Sequence, residues 1–487
     1  MAKILRASIV LPILAFYLYL AGSAPFLGQW DSFDYLKQIC THQLSALGIG
    51  RPVYLGYNIA LWESARRIFH LDLLQVETVV MIGTVLLGVL GIVLFQRLAD
   101  RLLSPETSRM ATLALALSPV YAIYSGFVMT EVPMLVLLLA AALVLWRPGD
   151  RDRLLCDTAG GALFGLAVGV REQALTMGAA FLWILWCRRA EGFARFRSMI
   201  RFCVAAGVVI LAPALAFYLH DPAGFFERTR TWLHAIPLGS GQFRNNAEAS
   251  LLYVFVICPG TWLAVAGAGV YRLFSKRDLE RPMRAQPHSI PHPVWGLFCC
   301  IVLPVLILWR DADVQMHPRY VLLVLPASLV LGSVLYRRWA PSGKGPVVWA
   351  VIQVLVFGLA LAAFSPFRQI QTEKMQFARA AKNAINGKGL IIAGNLSPVF
   401  DYYRGIGLRP EWQILWSGWN WDDTTVEAAI HNAWADHIPV YLSTHAPGWS
   451  YFENELLDLH FLLKDCKKEP IAPHLFLVHP PSWERGR

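Results

Sequence analysis

The sequence predicts an all-α membrane protein, a polytopic bundle of about eleven spans followed by a small extracytoplasmic α/β domain. Three observations carry that prediction. Of the 487 residues, 56% are hydrophobic and only 16% are charged, against roughly 25% charged in soluble domains. Apolar runs recur between short arginine-bearing tracts as far as residue 364. From about Ser365 onward charge, glycine and proline rise, and strand-like segments alternate with helix-like ones.

Lys3 and Arg6 precede the first apolar run, from about Ala7 to Ala24. Its end, Ala21-Gly22-Ser23-Ala24, resembles a signal-peptidase site. The run is just long enough to span and more spans follow, so it is read as an uncleaved first helix. Residues 25–75 form a long loop. Within it Tyr35, Leu36, Ile39 and Gln43 fall at helical spacing, as do Ile59, Trp62, Ala65 and Phe69 opposite Glu63, Arg66 and Arg67. The pattern predicts two amphipathic helices lying on the membrane surface. Further apolar runs lie at 78–95, 110–127, 132–146, 157–170, 174–187, 202–218, 251–271, 294–309, 320–336 and 347–364. The two around Arg171 are short and read equally as one broken or re-entrant unit.

Charge sets the topology. Arg97, Arg101 and Arg109, Arg147 to Arg153, Arg188 to Arg201, Arg272 to Arg284, and Arg337 to Lys344 all fall on one side, shared with the N-terminus. That side is cytoplasmic by the positive-inside rule. The loop bearing Asp31 is then extracytoplasmic, as are Glu131, Arg171 and segments 220–250 and 310–319. An odd number of spans also places the C-terminus outside. The predicted domains are a transmembrane domain over 1–364 and an extracytoplasmic α/β domain over 365–487, in a multi-pass protein of the inner (plasma) membrane. In the second domain strands are expected at 389–393, 412–416, 439–443 and 474–478, with helices at 397–404, 424–435 and 451–463. The net charge of +10 does not indicate nucleic acid, because the cations are dispersed between apolar runs. Eight cysteines show no Cys-x-x-Cys and no metal-ligand spacing. Cys40 and Cys466 fall outside the cytoplasm; a disulfide is open to them, but they are read as two unpaired thiols.

The loop after the first span carries the chemistry. Asp31 and Asp34 in Trp30-Asp31-Ser32-Phe33-Asp34 would share a helical face, and carboxylates at a membrane mouth are costly unless hydrated, paired or used. One is a candidate general base; the bland alternative is a helix cap. Their spacing would also suit a divalent cation, for which two carboxylates are thin evidence. Arg51-Pro52-Val53-Tyr54 follows. Glu131, in Thr130-Glu131-Val132-Pro133, is a second candidate carboxylate, again against a capping role with Pro133 just inside. Arg171-Glu172 interrupts an apolar hairpin; an ion pair between the two is one reading, a guanidinium for phosphate the other. His317-Pro318-Arg319-Tyr320 offers another cation, or an interfacial anchor.

Taken in order, these segments resemble the GT-C superfamily of polytopic glycosyltransferases, the group that includes protein O-mannosyltransferases and lipid A aminoarabinose transferases. Trp30-Asp31, Arg51-Pro52-Val53-Tyr54, Glu131-Val132-Pro133-Met134, Gly165-Leu166-Ala167-Val168-Gly169-Val170-Arg171, and Arg319-Tyr320 with Pro326 match its motifs across about 365 residues. Many relatives have Asp-Glu in the first loop, whereas here Asp31 is followed by Ser32. The resemblance implies an inverting transfer of a sugar from a polyprenyl-phosphate carrier to a hydroxyl of a glycan, lipid or protein acceptor, at the outer face of the bilayer. Asp31 would deprotonate the acceptor, with Asp34 or Glu131 orienting it. Arg171 and Arg319 would hold the carrier phosphate, and Arg51, Tyr54, His317 and Tyr320 would line the substrate. No cofactor is assigned, and a divalent metal stays open. The competing classes are a transporter or flippase of lipid-linked glycans, which would place ionisable groups near the midplane, and a non-catalytic assembly subunit docking through its α/β domain.

Overall fold

The computed structural model describes residues 2–23, 30–43, 50–146, 153–188, 192–235, 257–274, 322–340, 345–393, 397–415, 423–443 and 463–481. Along the chain run α1 (Ala2–Ser23), α2 (Trp30–Thr41), α3 (Pro52–Phe69), α4 (Val76–Leu102), α5 (Pro105–Ala116), α6 (Pro119–Tyr124) and α7 (Glu131–Leu145). Next come α8 (Arg153–Val170), α9 (Gly178–Arg188), α10 (Gly192–His220), α11 (Pro222–Ala235), α12 (Pro259–Phe274), α13 (Leu325–Trp339) and α14 (Gly345–Ala384). The α/β part comprises β1 (Gly389–Ile392), α15 (Ser397–Gly405), β2 (Trp412–Leu415), α16 (Asp423–Ala435), β3 (Val440–Ser443), β4 (Lys467–Ala472) and β5 (Leu475–His479). Two compact units form: Met1–Ser23 with Leu44–Leu61 and Thr78–Ala363, and Ala24–Gln43 with Trp62–Glu77 and Phe364–Arg487.

The first unit is helical. Leu73–Leu102, Phe193–His220, Leu322–Trp339 and Gly345–Ala363 are long and apolar enough to cross a bilayer, and Leu11–Gly22, Glu131–Leu145 and Leu154–Val170 are shorter apolar stretches. The expected run 294–309 lies outside the described residues. α10 exposes Phe196, Val204, Val208, Leu211 and Leu215, the surface that lipid rather than water covers without cost. The expected single span over 110–127 is instead two helices, α5 and α6. Pro119 removes a backbone donor and pushes Ser118 out of helical geometry (ψ 119°). The Ala116 carbonyl at this break accepts the Tyr17 hydroxyl at 2.9 Å, and Trp349 donates its indole N–H to the Met110 carbonyl of α5 at 3.1 Å.

α8 and α10 approach closely through Gly161 and Gly165. A Cβ on Gly161 would lie 2.3 Å from the Phe202 carbonyl oxygen, and one on Gly165 2.7 Å from that of Ala206. Small residues four apart allow this backbone contact, which in lipid substitutes packing for the absent hydrophobic drive.

The second unit holds a five-stranded sheet in the order β2-β1-β3-β5-β4. β1 pairs in parallel with β2 and with β3, while β5 runs antiparallel to β3 and to β4. β1 is buried along its whole length, the unbroken apolar run expected of a parallel strand covered on both faces. Leu390, Ile392, Val440 and Leu442 meet Val426, Ile430 and Ala433 of α16 in one core. Strand β4, which the sequence pattern did not single out, forms the sheet edge with Lys467, Lys468, Glu469 and Pro470. Most of the expected helix 451–463 lies outside the described residues.

α2 belongs to this second unit and corrects the surface-helix expectation. Tyr35, Leu36 and Ile39 are fully buried, and the helix packs on α15. The α/β part supplies the cover that neighbouring sequence could not. α3 keeps exposed apolar side chains at Tyr57, Ile68 and Phe69.

Candidate active site

In the first unit four charged residues gather from three places in the sequence. Arg171 and Glu131, each 1% exposed at the side chain, form an ion pair through Nη1 and Oε1. The same Nη1 donates to the Thr130 hydroxyl at 2.9 Å, and Nε donates to the Gln173 side-chain carbonyl. Glu172 turns to Arg51, with 3.8 Å between Oε2 and Nε, an ion-pair separation too long for a hydrogen bond.

Local backbone explains this division. α8 stops at Val170, Arg171 is extended (φ −158°, ψ 125°), and a 3-10 turn runs over Glu172–Met177 before α9. The hairpin is therefore broken at Arg171. Successive side chains diverge where the backbone is extended. Arg171 points to the N-terminal end of α7, and Glu172 reaches Arg51 instead. An ion pair between neighbours Arg171 and Glu172 is thus replaced by two pairs formed over long sequence separations.

At the start of α7 Thr130 is the N-cap residue, yet its side chain makes no capping bond; it accepts from Arg171. Glu131 lies in the first turn, where the helix dipole favours a carboxylate. Thr130 and Gln173 are the members of this cluster that residue type alone did not single out as ligands. Their one signal is adjacency to Glu131 and to Arg171-Glu172. Arg51 immediately precedes α3 and is buried, as is Tyr54 in its first turn. Two cations and two anions make the cluster neutral as it stands, which lowers the cost of holding charge in an apolar bundle.

The other candidate carboxylates lie in the second unit. Asp31 is in the first turn of α2. Asp34 follows one turn later, and its Oδ2 accepts from the Gln38 amide at 2.8 Å. Both aspartates are partly exposed, while Ser32 and Phe33 between them are buried. Burial pushes the nearby Cys40 thiol up to about 12, with Arg66 lowering it and Glu63 raising it by smaller amounts. Cys40 and Cys466 are not joined to each other by a disulfide. Among the described residues no three His, Cys, Asp or Glu side chains gather as a metal site. His317, Arg319 and Tyr320 lie outside the described residues.

The backbone path has counterparts among known structures. It superposes on ArnT from Cupriavidus metallidurans, solved with undecaprenyl phosphate bound, with a TM-score of 0.64 at 12% identity, covering 98% of this chain and 97% of that one. The two chains share a fold. An Archaeoglobus fulgidus oligosaccharyltransferase tethered to an acceptor peptide aligns with a TM-score of 0.49 at 11% identity, over 98% of this chain and 74% of that one. The family model for dolichyl-phosphate-mannose-protein mannosyltransferase matches residues 59–217. That stretch of this chain contains Glu131, Arg171 and Glu172 but neither Asp31 nor Arg51. No curated protein matches the sequence significantly.

Proposed function

We propose that this protein is an integral-membrane glycosyltransferase that moves a sugar from a polyprenyl-phosphate carrier to an acceptor hydroxyl. The observation that carries the reading is the GT-C fold shared along nearly the whole chain with a protein that binds undecaprenyl phosphate. The mannosyltransferase family match supports the same class.

The step is a single displacement with inversion. The acceptor oxygen attacks the anomeric carbon, the bond from that carbon to the phosphate oxygen breaks, and the polyprenyl phosphate leaves with the electron pair. The acceptor proton passes to Asp31, in the first turn of α2, as general base. Asp34, held by Gln38, orients the acceptor. Arg51 and Arg319 receive the carrier phosphate as charge builds on it. Arg171 already commits Nε and Nη1 to Gln173, Thr130 and Glu131, so it and Glu131 act as a positioning pair. Tyr54, His317 and Tyr320 line the substrates. The acceptor is a glycan, lipid or protein hydroxyl on the outer side of the inner membrane, with the N-terminus cytoplasmic and the α/β domain outside. The count of eleven spans belongs to this same reading.

The test is chemical. Glycolipids and envelope glycans from membranes with and without the protein are compared by mass spectrometry, and purified protein is incubated with polyprenyl-phosphate hexose and pentose donors. Loss of one specific sugar modification and release of polyprenyl phosphate are expected. Unchanged glycans together with no donor turnover would overturn the assignment.

A further inference from the structure

From the geometry of the second unit we infer that Lys37, clamped by Asp401, is a positioning residue that sets the orientation of the acid-bearing helix α2. This rests on the reading that α2 carries the catalytic base. Lys37 lies about one and two-thirds turns beyond Asp31 on the same helix. Its ammonium lies 2.6 Å from Asp401 Oδ2 on α15. The other oxygen, Oδ1, accepts from Arg404. The Asp401 side chain is only 7% exposed and that of Lys37 28%, so the pair is screened less than a surface bridge and its geometry is constrained.

Packing fixes the same register independently of charge. A Cβ at Gly405 would fall within 2.9 Å of Lys37 Cγ, Cδ and Cε. A side chain at the end of α15 would thus press on the lysine stem, which would have to shift. One turn earlier on α2, the ring of Phe33 sits 6.1 Å from that of Tyr402. α2 is thus held at two successive turns, by an aromatic contact at Phe33 and a charge clamp at Lys37. Phe33 lies between the two aspartates in sequence, so a rotation of α2 that loosens this seam re-aims both carboxylates. Misplacing a reacting group by about 1 Å costs on the order of a hundredfold in rate.

The experiment uses the full-length protein in nanodiscs and three variants. Lys37→Met removes the charge, Gly405→Ala displaces the lysine stem without altering any charge, and Lys37→Arg retains a cation for Asp401. Two readouts are taken: amide hydrogen exchange across residues 30–41, and transfer kinetics with a polyprenyl-phosphate sugar as donor. For Lys37→Met and Gly405→Ala, exchange in 30–41 should rise about tenfold or more while the helices of the first unit keep their protection. In both, kcat should fall about 10- to 100-fold with donor KM unchanged, and Lys37→Arg should restore most of it. Faster exchange with unaltered kcat would reduce the clamp to a structural contact and overturn the inference. Unaltered exchange in both variants would overturn it as well. If Asp31→Asn and Asp34→Asn both retain full transfer while exchange still rises in Lys37→Met, the base assignment fails and this positioning role falls with it. The clamp itself would then stand as packing only, so the two failures are told apart.

Discussion

Replacing Arg171 with alanine removes one half of a pair whose two side chains are each 1% exposed. Glu131 would then be a carboxylate held in an apolar bundle without its cation, while Thr130 and Gln173 lose the donor they now accept from. Breaking a buried pair from one side costs about 3–5 kcal/mol. At about 1.4 kcal/mol per decade that is roughly a hundred- to several-thousand-fold in the folding equilibrium. Arg171→Lys keeps the charge but not the planar fork, which now reaches three acceptors, and should cost about 1–3 kcal/mol. The double variant Glu131→Met with Arg171→Met removes both charges and should recover most of the loss. The assay is unfolding of the purified protein in nanodiscs, followed by thermal and chemical denaturation, with binding of undecaprenyl phosphate measured on each folded variant. Two results would refute the reasoning. Arg171→Ala as stable as the parent would mean that Glu131 is solvated after all. A double variant as damaged as the sum of its singles would mean that the two residues do not act on each other.

For the chemistry, Asp31→Asn keeps the side-chain size but removes basicity, so transfer should drop by about two to four orders of magnitude with expression unchanged; Asp34→Asn and Glu131→Gln, assayed alongside, should each cost less. Gly161→Leu places a side chain where only 2.3 Å separates a Cβ from the Phe202 carbonyl oxygen, and it should destabilise by about 1–3 kcal/mol or more, read by the temperature at which α8 and α10 lose exchange protection. Reporter fusions after Arg147 and Arg284 should report the cytoplasm, and a fusion at Arg487 the opposite side; a cytoplasmic signal at Arg487 would overturn the sidedness of Asp31 as well.

Helical periodicity in the loop was legible, and α2 and α3 fall where it placed them. What covers α2 was not. Its partner α15 lies more than 350 residues on (Lys37 to Asp401 is a separation of 364), and periodicity reports a buried face without naming what buries it. The pairing of Arg171 was hidden for a related reason. Two adjacent opposite charges invite a local bridge, and only the extended backbone at Arg171 shows that neighbours diverge. Pro119 was visible, yet an apolar run on either side of it reads as one span until the Ser118 backbone departs from helix. In the α/β part the apolar strands β1 and β3 stood out by composition. β4 did not, because an edge strand carrying two lysines, a glutamate and a proline has the chemistry of a loop.

That same edge has a bearing on how many copies can share a membrane. Proteins confined to a bilayer diffuse in two dimensions, and copies anchored at a common depth meet at high effective concentration. An open strand would then be a template for lateral growth, one sheet adding to the next. β4 resists this in two ways. Pro470 cannot donate to an incoming strand, and Lys467 with Lys468 repels an identical edge brought alongside. The proline and the two lysines make β4 a poor template for an added strand.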